Sequence, residues 1–139
     1  LHVGIDTFMP VYEDNPADHK MYTEFCVCPQ EVADVVNETR KKGKRVVGVG
    51  TTSVRTLESS WNQGFNQVEP YSDWTSIYIL PGYKFNSVDC MITNFHYPRS
   101  TNLMMVSAFA GLENIKRAYM EAVEKGYRFY SFGDACLII

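Results

Sequence analysis

No uninterrupted apolar run in the 139 residues approaches the roughly 20 that a membrane-crossing helix requires, because Gly, Asp or Ser interrupts each longer stretch. The chain therefore reads as soluble. No basic leader precedes an apolar stretch, and Leu1-His2-Val3-Gly4 opens without an initiator methionine or a helix start, which reads as a cut rather than a natural beginning. Positive charge is not in excess either. With 13 Lys and Arg against 16 Asp and Glu, the net charge of -3 argues against binding nucleic acid through an overall basic field, so any RNA contact has to be local. A second close pair of metal-type ligands is lacking as well. Cys90, Cys136, His2, His19 and His96 offer no partner set at zinc spacing for Cys26 and Cys28, so no metal is expected. Cys26-Val27-Cys28 puts both thiols on the same side of a strand-like segment, where they bridge poorly, and all four cysteines read as reduced thiols of a cytoplasmic protein. Repeats, low-complexity tracts and dividing linkers are absent, leaving one globular unit.

What is present alternates between two periods. Pro29, then Val32, Val35, Val36 and Thr39 at helical spacing, closed by Gly43 after the basic run Arg40 to Arg45, predicts a helix whose last turn is basic. The run reads as a solvated helix end complementing the helix dipole rather than as a phosphate patch. Arg45 to Val49 predicts a buried strand, and after Gly50-Thr51-Thr52-Ser53 helical spacing resumes through Val54, Leu57 and Trp61. Ser76 to Leu80 and Val88 to Thr93 read as further strands, and Ser100 to Gly111 as an apolar buried helix. Glu113 to Lys125 reads as a second, amphipathic helix stopped by Gly126, and Tyr127 to Phe132 and Ala135 to Ile139 as two closing strands. The first 28 residues are the least regular. Strands alternating with helices predict an α/β fold.

Polar residues gather where strands end, which is where open α/β sheets bind ligands. Gly48-Val49-Gly50-Thr51-Thr52-Ser53 joins strand to helix with glycines that admit a close ligand and free N–H groups that face an anion. It has neither Walker nor Rossmann spacing, and a well-capped turn explains it equally well. Arg55 and Glu58 follow three apart, as a surface pair would. Thr93-Asn94-Phe95-His96-Tyr97-Pro98-Arg99-Ser100 packs amide, imidazole, guanidinium and hydroxyl groups into one loop, which favours a functional His96. In Pro81-Gly82-Tyr83-Lys84-Phe85 two aromatics flank a lysine, either as a turn or as a stacking platform for a purine-like base. Ser131-Phe132-Gly133-Asp134 holds an acid in a turn, and His2, Asp6 and Thr7 form a smaller polar set that could face the same cleft.

Taken in order, several runs resemble the S-adenosylmethionine:tRNA ribosyltransferase-isomerase family of queuosine biosynthesis over nearly the whole chain. They are His2-Val3-Gly4 with Thr7-Phe8 and Pro10-Val11, Val49 to Ser59, Pro81 to Phe85, Thr93 to His96 with Pro98, Ser100 and Thr101, Ser107 to Gly111, and Tyr127-Arg128-Phe129 with Gly133-Asp134-Ala135. Asp6 and Tyr22 stand where the family pattern has a small residue and a histidine, which suggests a divergent branch. The resemblance implies that residues 1–139 are the C-terminal part of a large α/β domain, a partial barrel-like or open mixed sheet with flanking helices. A preceding segment and an inserted small β-barrel domain would lie outside this chain, so that activity of the piece alone is uncertain.

The resemblance further implies transfer and isomerisation of the ribosyl part of S-adenosylmethionine onto 7-aminomethyl-7-deazaguanine at the tRNA wobble position, giving epoxyqueuosine and releasing adenine and methionine. S-adenosylmethionine is then a consumed co-substrate, tRNA the partner, and no metal or membrane is involved. The sulfonium acidifies the C5′ protons, so the site needs a base there and a donor for the leaving adenine. His96 is the first candidate for acid or base, with Asp134 and Glu58 behind it. Gly50, Thr51, Thr52, Ser53 and Arg55 are candidates for the methionine carboxylate, Tyr83 or Phe85 for a purine face, and His2, Thr7, Asn94, Arg99 and Ser100 for further substrate contacts. Two other classes stay open: a methyltransferase-like S-adenosylmethionine-binding domain, suggested by Gly48-Val49-Gly50, and a non-catalytic RNA-binding or assembly fragment, suggested by the Arg40 to Arg45 run.

Overall fold

A computed structural model describes residues 1–4 and 9–139. Among the described residues four α-helices, a short 3-10 turn (Pro16–Asp18) and three small sheets make up the regular structure, the α/β class that the alternating pattern predicts. The central sheet is open and mixed. β2 (Val47–Val49) runs parallel to β6 (Cys90–Asn94), which pairs antiparallel with β7 (Ala135–Ile138), in the order β2-β6-β7. The register sets Val49 opposite Ile92 and Ile92 opposite Leu137. A second, two-stranded sheet pairs β1 (Glu24–Cys28) with β5 (Tyr71–Thr75), and β3 (Trp61–Asn62) forms a hairpin with β4 (Gln67–Val68).

α1 (Gln30–Lys41) starts behind Pro29, which occupies the cap position with φ -63°, and it buries Ala33 and Val36 against Cys28, Val46 and Val68. Its basic end behaves as a helix terminus. Lys42 pairs with Glu38 at 2.8 Å, and the Arg40 guanidinium lies 5.4 Å from the Trp61 ring centre. α2 (Thr51–Ser59), α3 (Thr101–Ala110) and α4 (Leu112–Glu124) pack on one face of the central sheet. Val54, Ile79, Val88, Met91, Met105, Val106 and Ile115 form that core, each contributing about 1.5–3 kcal/mol by leaving water. Gly48 sets the approach of α2 to β2, because a Cβ there would meet Val54 Cγ2 at 2.6 Å.

The opposite face of the central sheet carries Val47, Val49 and Leu137, all exposed. Sheets containing parallel pairs are ordinarily covered on both faces. On this one Cys90 is buried, whereas Val47, Val49 and Leu137 remain uncovered among the described residues.

Four expectations give way to the structure. Arg45 to Val49 is not a buried strand, since Val47 and Val49 are exposed and only Val46 and Gly48 are buried. Trp61 lies in β3, because Ser60 ends α2 by donating its hydroxyl to Thr56 O at 2.7 Å and the chain then turns into a hairpin. Ser76 to Leu80 is not a strand, although Ile79 is buried: the segment crosses the core without joining a ladder. Tyr127 to Phe132 is not a strand either. Asp134 draws that segment into a loop by accepting from Arg128 N at 2.8 Å while its own N–H donates to Arg128 O at 2.8 Å. Within the irregular N-terminal stretch, β1 is formed by the segment that alternates buried Cys26 and Cys28 with outward Val27. All four cysteines are free thiols.

Candidate functional site

The strands β2 and β6 run parallel, so their C-terminal ends open on the same side, and there the chain forms a polar cleft of about 220 Å³. Gly50, Thr51 and Thr52 line it from the start of α2, Thr93, Asn94, His96 and Tyr97 from the end of β6, and Asn102 from α3. Val3, Tyr130 and Ser131 complete it. Gly50 takes φ 88°, a left-handed turn that glycine reaches without strain, and its N–H donates to Ile92 O at 2.8 Å, tying the turn to β6. No side chain caps α2 at that position, which leaves first-turn N–H groups without a side-chain acceptor where Thr51 and Thr52 line the cleft.

His96 forms the wall between this cleft and a larger apolar groove of about 710 Å³ lined by Pro98, Leu103, Tyr119, Met120, Val123, Phe129 and Tyr130 with Glu124. Its Nε2 lies 2.9 Å from Thr93 Oγ1, and its backbone N–H donates to the Tyr119 hydroxyl at 2.9 Å. No described residue bonds the other ring nitrogen. Burial without a counter-charge lowers the imidazole pKa from 6.5 to about 4, so the ring is neutral at pH 7. Burial likewise pushes the Tyr119 hydroxyl up to about 12, which keeps it a neutral hydrogen-bonding group. Asn94 donates to Gly133 O at 3.3 Å and so joins β6 to the loop that carries Tyr130 and Ser131.

Several other predicted site residues are used elsewhere. Glu58 is buried and its carboxylate is saturated: it accepts from the Tyr83 hydroxyl at 3.0 Å, Asn86 N at 3.1 Å, Ser87 N at 2.9 Å and Ser87 Oγ at 2.6 Å. These bonds tie α2 to the 83–87 turn in an internal knot. Tyr83 and Phe85 belong to the same knot, packing edge-on to each other and against the core instead of forming an open platform. Arg55 and Glu58 are not a surface pair, since both are buried and Arg55 forms its ion pair with buried Glu24. The Arg55 guanidinium thus already faces a carboxylate through Nη1, and Arg55 is not among the residues lining the cleft.

Asp134 holds Arg128, contacting its backbone N–H and its Nη2 at 2.8 Å each, and the Arg128 hydrogen bonds hold its carboxyl below the usual range. Arg99 donates to Tyr12 O at 3.2 Å and fastens the 12–14 segment. Ser100 caps α3 by accepting from Leu103 N at 3.1 Å, and Ser53 is exposed on a neighbouring surface. His2 is exposed, with its ring 5.6 Å from that of Phe25. Thr7 and Asp6 lie outside the described residues. Of the lining, Val3, Thr93, Tyr97, Asn102, Tyr130 and Ser131 are not among the predicted site residues; Thr93 and Tyr97 sit inside the dense polar loop and Ser131 beside the Gly133-Asp134 turn, which could have flagged them, whereas Asn102 and Tyr130 reach the cleft through tertiary packing.

Among the described residues no group of three or more His, Cys, Asp or Glu could hold a metal ion, and no helix is long and apolar enough to cross a membrane. Residues 1–138 match the profile of the family described as queuosine biosynthesis protein. The chain is 58% identical over 139 residues to the S-adenosylmethionine:tRNA ribosyltransferase-isomerase of Thermoanaerobacter sp. (strain X514), covering all of this chain and 40% of the relative. It is 54% identical over 138 residues to the enzyme of the same name from Afipia carboxidovorans, covering 38% of that protein. The crystal structure of S-adenosylmethionine tRNA ribosyltransferase from Thermotoga maritima superposes with a TM-score of 0.77 at 49% identity, over 83% of this chain and 40% of that one. The chain thus spans about 40% of the length of the curated relatives it matches. The chain belongs to the queuosine biosynthesis protein family.

Proposed function

We propose that the protein carrying this chain transfers and isomerises the ribosyl part of S-adenosylmethionine onto 7-aminomethyl-7-deazaguanine in tRNA, releasing adenine and methionine and leaving epoxyqueuosine. The observation that carries this reading is the neutral, half-buried His96 in a polar cleft at the strand ends of a chain 58% identical to an enzyme of that name. Residues 1–139 then act as the C-terminal part of its large α/β domain, and the bare sheet face with Val47, Val49 and Leu137 supports a covering element elsewhere in the protein.

The chemistry divides among few groups. His96, neutral across the physiological range, accepts the C5′ proton that the sulfonium has acidified, with Thr93 Oγ1 fixing the ring. The neutral form also suits a cationic co-substrate, since an imidazolium would repel the sulfonium. The N–H groups of Thr51 and Thr52, at the head of α2, offer the methionine carboxylate donors and a favourable dipole, while Gly50, its own N–H tied to Ile92 O, shapes the turn. Asn94 and Asn102 supply neutral donors and acceptors for the ribose hydroxyls. Ser100, Arg99 and Asp134 contribute by holding the backbone around the cleft, and Glu58 by holding the turn behind it.

The test is product identification with the full-length protein, S-adenosylmethionine and a tRNA bearing the aminomethyl-deazaguanine. Adenine and methionine released in equal amounts, with loss of the free amine on the tRNA base, are expected. Formation of S-adenosylhomocysteine, or tRNA binding without adenine release, would overturn the reading.

A further inference from the structure

The cleft carries one pair of side chains that its polar chemistry does not use. The rings of Tyr97 and Tyr130 stack face to face, with centroids 3.7 Å apart and planes 8° from parallel. Every other aromatic pair among the described residues is tilted or edge-on, with centroids 4.7 to 6.1 Å apart. Edge-on and offset arrangements are what aromatic quadrupoles favour, so a parallel sandwich on an exposed surface needs another cause. Tyr97 is 55% and Tyr130 is 40% exposed, so burial does not supply it.

The backbone supplies it. Tyr130 is held at φ 72° and Arg99, two residues after Tyr97, at φ 56°, left-handed conformations that cost a non-glycine residue stability and persist only where surroundings enforce them. The enforcement is visible. Tyr130 N–H donates to Phe95 O at 2.8 Å, Gly133 N–H donates to Tyr130 O at 3.0 Å, and Gly133 is so tightly enclosed that a Cβ would meet Arg128 O at 2.4 Å. On the other side Ser100 Oγ donates to Tyr97 O at 2.8 Å. Two strained loops thus present two parallel, half-exposed rings at a cleft whose other walls carry hydroxyl, amide and imidazole groups beside Val3 and Gly50.

We infer that the Tyr97–Tyr130 pair is a preorganised stacking platform for one purine or deazapurine ring at the mouth of the cleft. A cleft of about 220 Å³ is smaller than a drug-sized pocket and admits a single flat ring against the pair. Stacking on the face of a fixed ring is tolerant of ring identity, and the polar walls beside it reach the atoms attached to the ring. The inference takes from the ribosyl-transfer reading only the two sources of such a ring, the adenine of S-adenosylmethionine and the modified base of tRNA.

The experiment compares the full-length protein with Tyr97→Leu, Tyr97→Phe and Tyr97→Leu/Tyr130→Leu. Three probes are titrated: adenosine, S-adenosylmethionine and an anticodon stem-loop carrying the aminomethyl-deazaguanine. The platform predicts binding about 5- to 150-fold weaker in the leucine variants and near-normal binding in Tyr97→Phe, which keeps the ring and loses the hydroxyl. Loss confined to adenosine and S-adenosylmethionine assigns the pair to adenine, and loss confined to the stem-loop assigns it to the tRNA base. Unchanged affinity for all three probes in Tyr97→Leu would overturn the inference, and that exposed single variant covers the case in which the double variant does not fold. Purine binding that depends on the pair, in a protein that releases no adenine, would keep the platform and sink the ribosyl-transfer reading instead.

Discussion

Two polar clusters of this molecule look alike in composition and differ in what they have left to give. Around Glu58, the carboxylate, the Tyr83 hydroxyl, the Ser87 hydroxyl and two backbone N–H groups satisfy one another completely in the interior. Around His96, one ring nitrogen is bound to Thr93, no described residue bonds the other, and the surrounding amides and hydroxyls open into a cleft. A saturated buried cluster holds a fold together, because each group spends its hydrogen bonds on a neighbour. An unsaturated one at the ends of parallel strands is available to a substrate. Spare hydrogen-bonding capacity, rather than density of polar residues, separates the two.

The comparison can be broken in descending order of effect. Glu58→Leu should destabilise the protein by about 3–5 kcal/mol, since it leaves the buried Ser87 N–H and hydroxyl and the Tyr83 hydroxyl without their acceptor. Denaturant unfolding measures this, and a loss below about 1 kcal/mol would mean that the knot is not structural.

Acid should act through His96 with a defined sign. The folded-state pKa of about 4 lies below the ordinary 6.5, so between those values the unfolded chain binds a proton that the folded chain refuses. The His96 contribution is therefore fully present above pH 6.5 and falls away towards pH 4, by about 3 kcal/mol in all. The difference in unfolding free energy between wild type and His96→Gln across that window tests it; parallel curves would place the imidazole in water.

Gly133→Ala should cost about 1–3 kcal/mol, because the added Cβ would strike backbone at Arg128 and Phe129 in a loop already holding a left-handed Tyr130. An unchanged melting temperature together with unchanged substrate affinity would show that the loop yields freely. The smallest effect is expected from Arg128→Ala. It removes an exposed ion pair with Asp134 while leaving the Arg128 N–H bond to that carboxylate intact, so stability should change little and the cleft should keep its affinity.

Much of this frame is legible in the sequence where a period or a turn residue repeats over several turns. α1, α3 and α4 follow from apolar spacing between Pro29, Ser100 and the glycines at 43, 111 and 126, and β2 and β6 from short apolar runs beside Gly50 and Asn94. The strands β3, β4 and β5 are two to five residues long and exist only because a partner lies opposite, which no local pattern announces. The aromatic run from Tyr127 to Phe132 resembles a strand in composition, yet Phe129 spends its ring on Phe95 and Tyr119, at 5.0 and 5.7 Å, as part of a loop.

The site divides in the same way. Gly50, Thr51, Thr52, Asn94 and His96 stand at strand ends and are visible as such, and the structure brings them to one cleft. The burial of Glu58 is not legible, because its partners lie 25 to 29 residues away in sequence. Tyr130 escapes notice because only the folded loop carries it across to Tyr97.

The central claim, that His96 does chemistry while Glu58 does architecture, is tested most directly by adenine release per folded molecule at pH 7 in full-length His96→Gln and Glu58→Gln. The account predicts a loss of about 10²- to 10⁴-fold in His96→Gln with a near-normal melting temperature, and a lowered melting temperature with near-normal release per folded molecule in Glu58→Gln. Near-normal release from His96→Gln, or its collapse in folded Glu58→Gln, would contradict it.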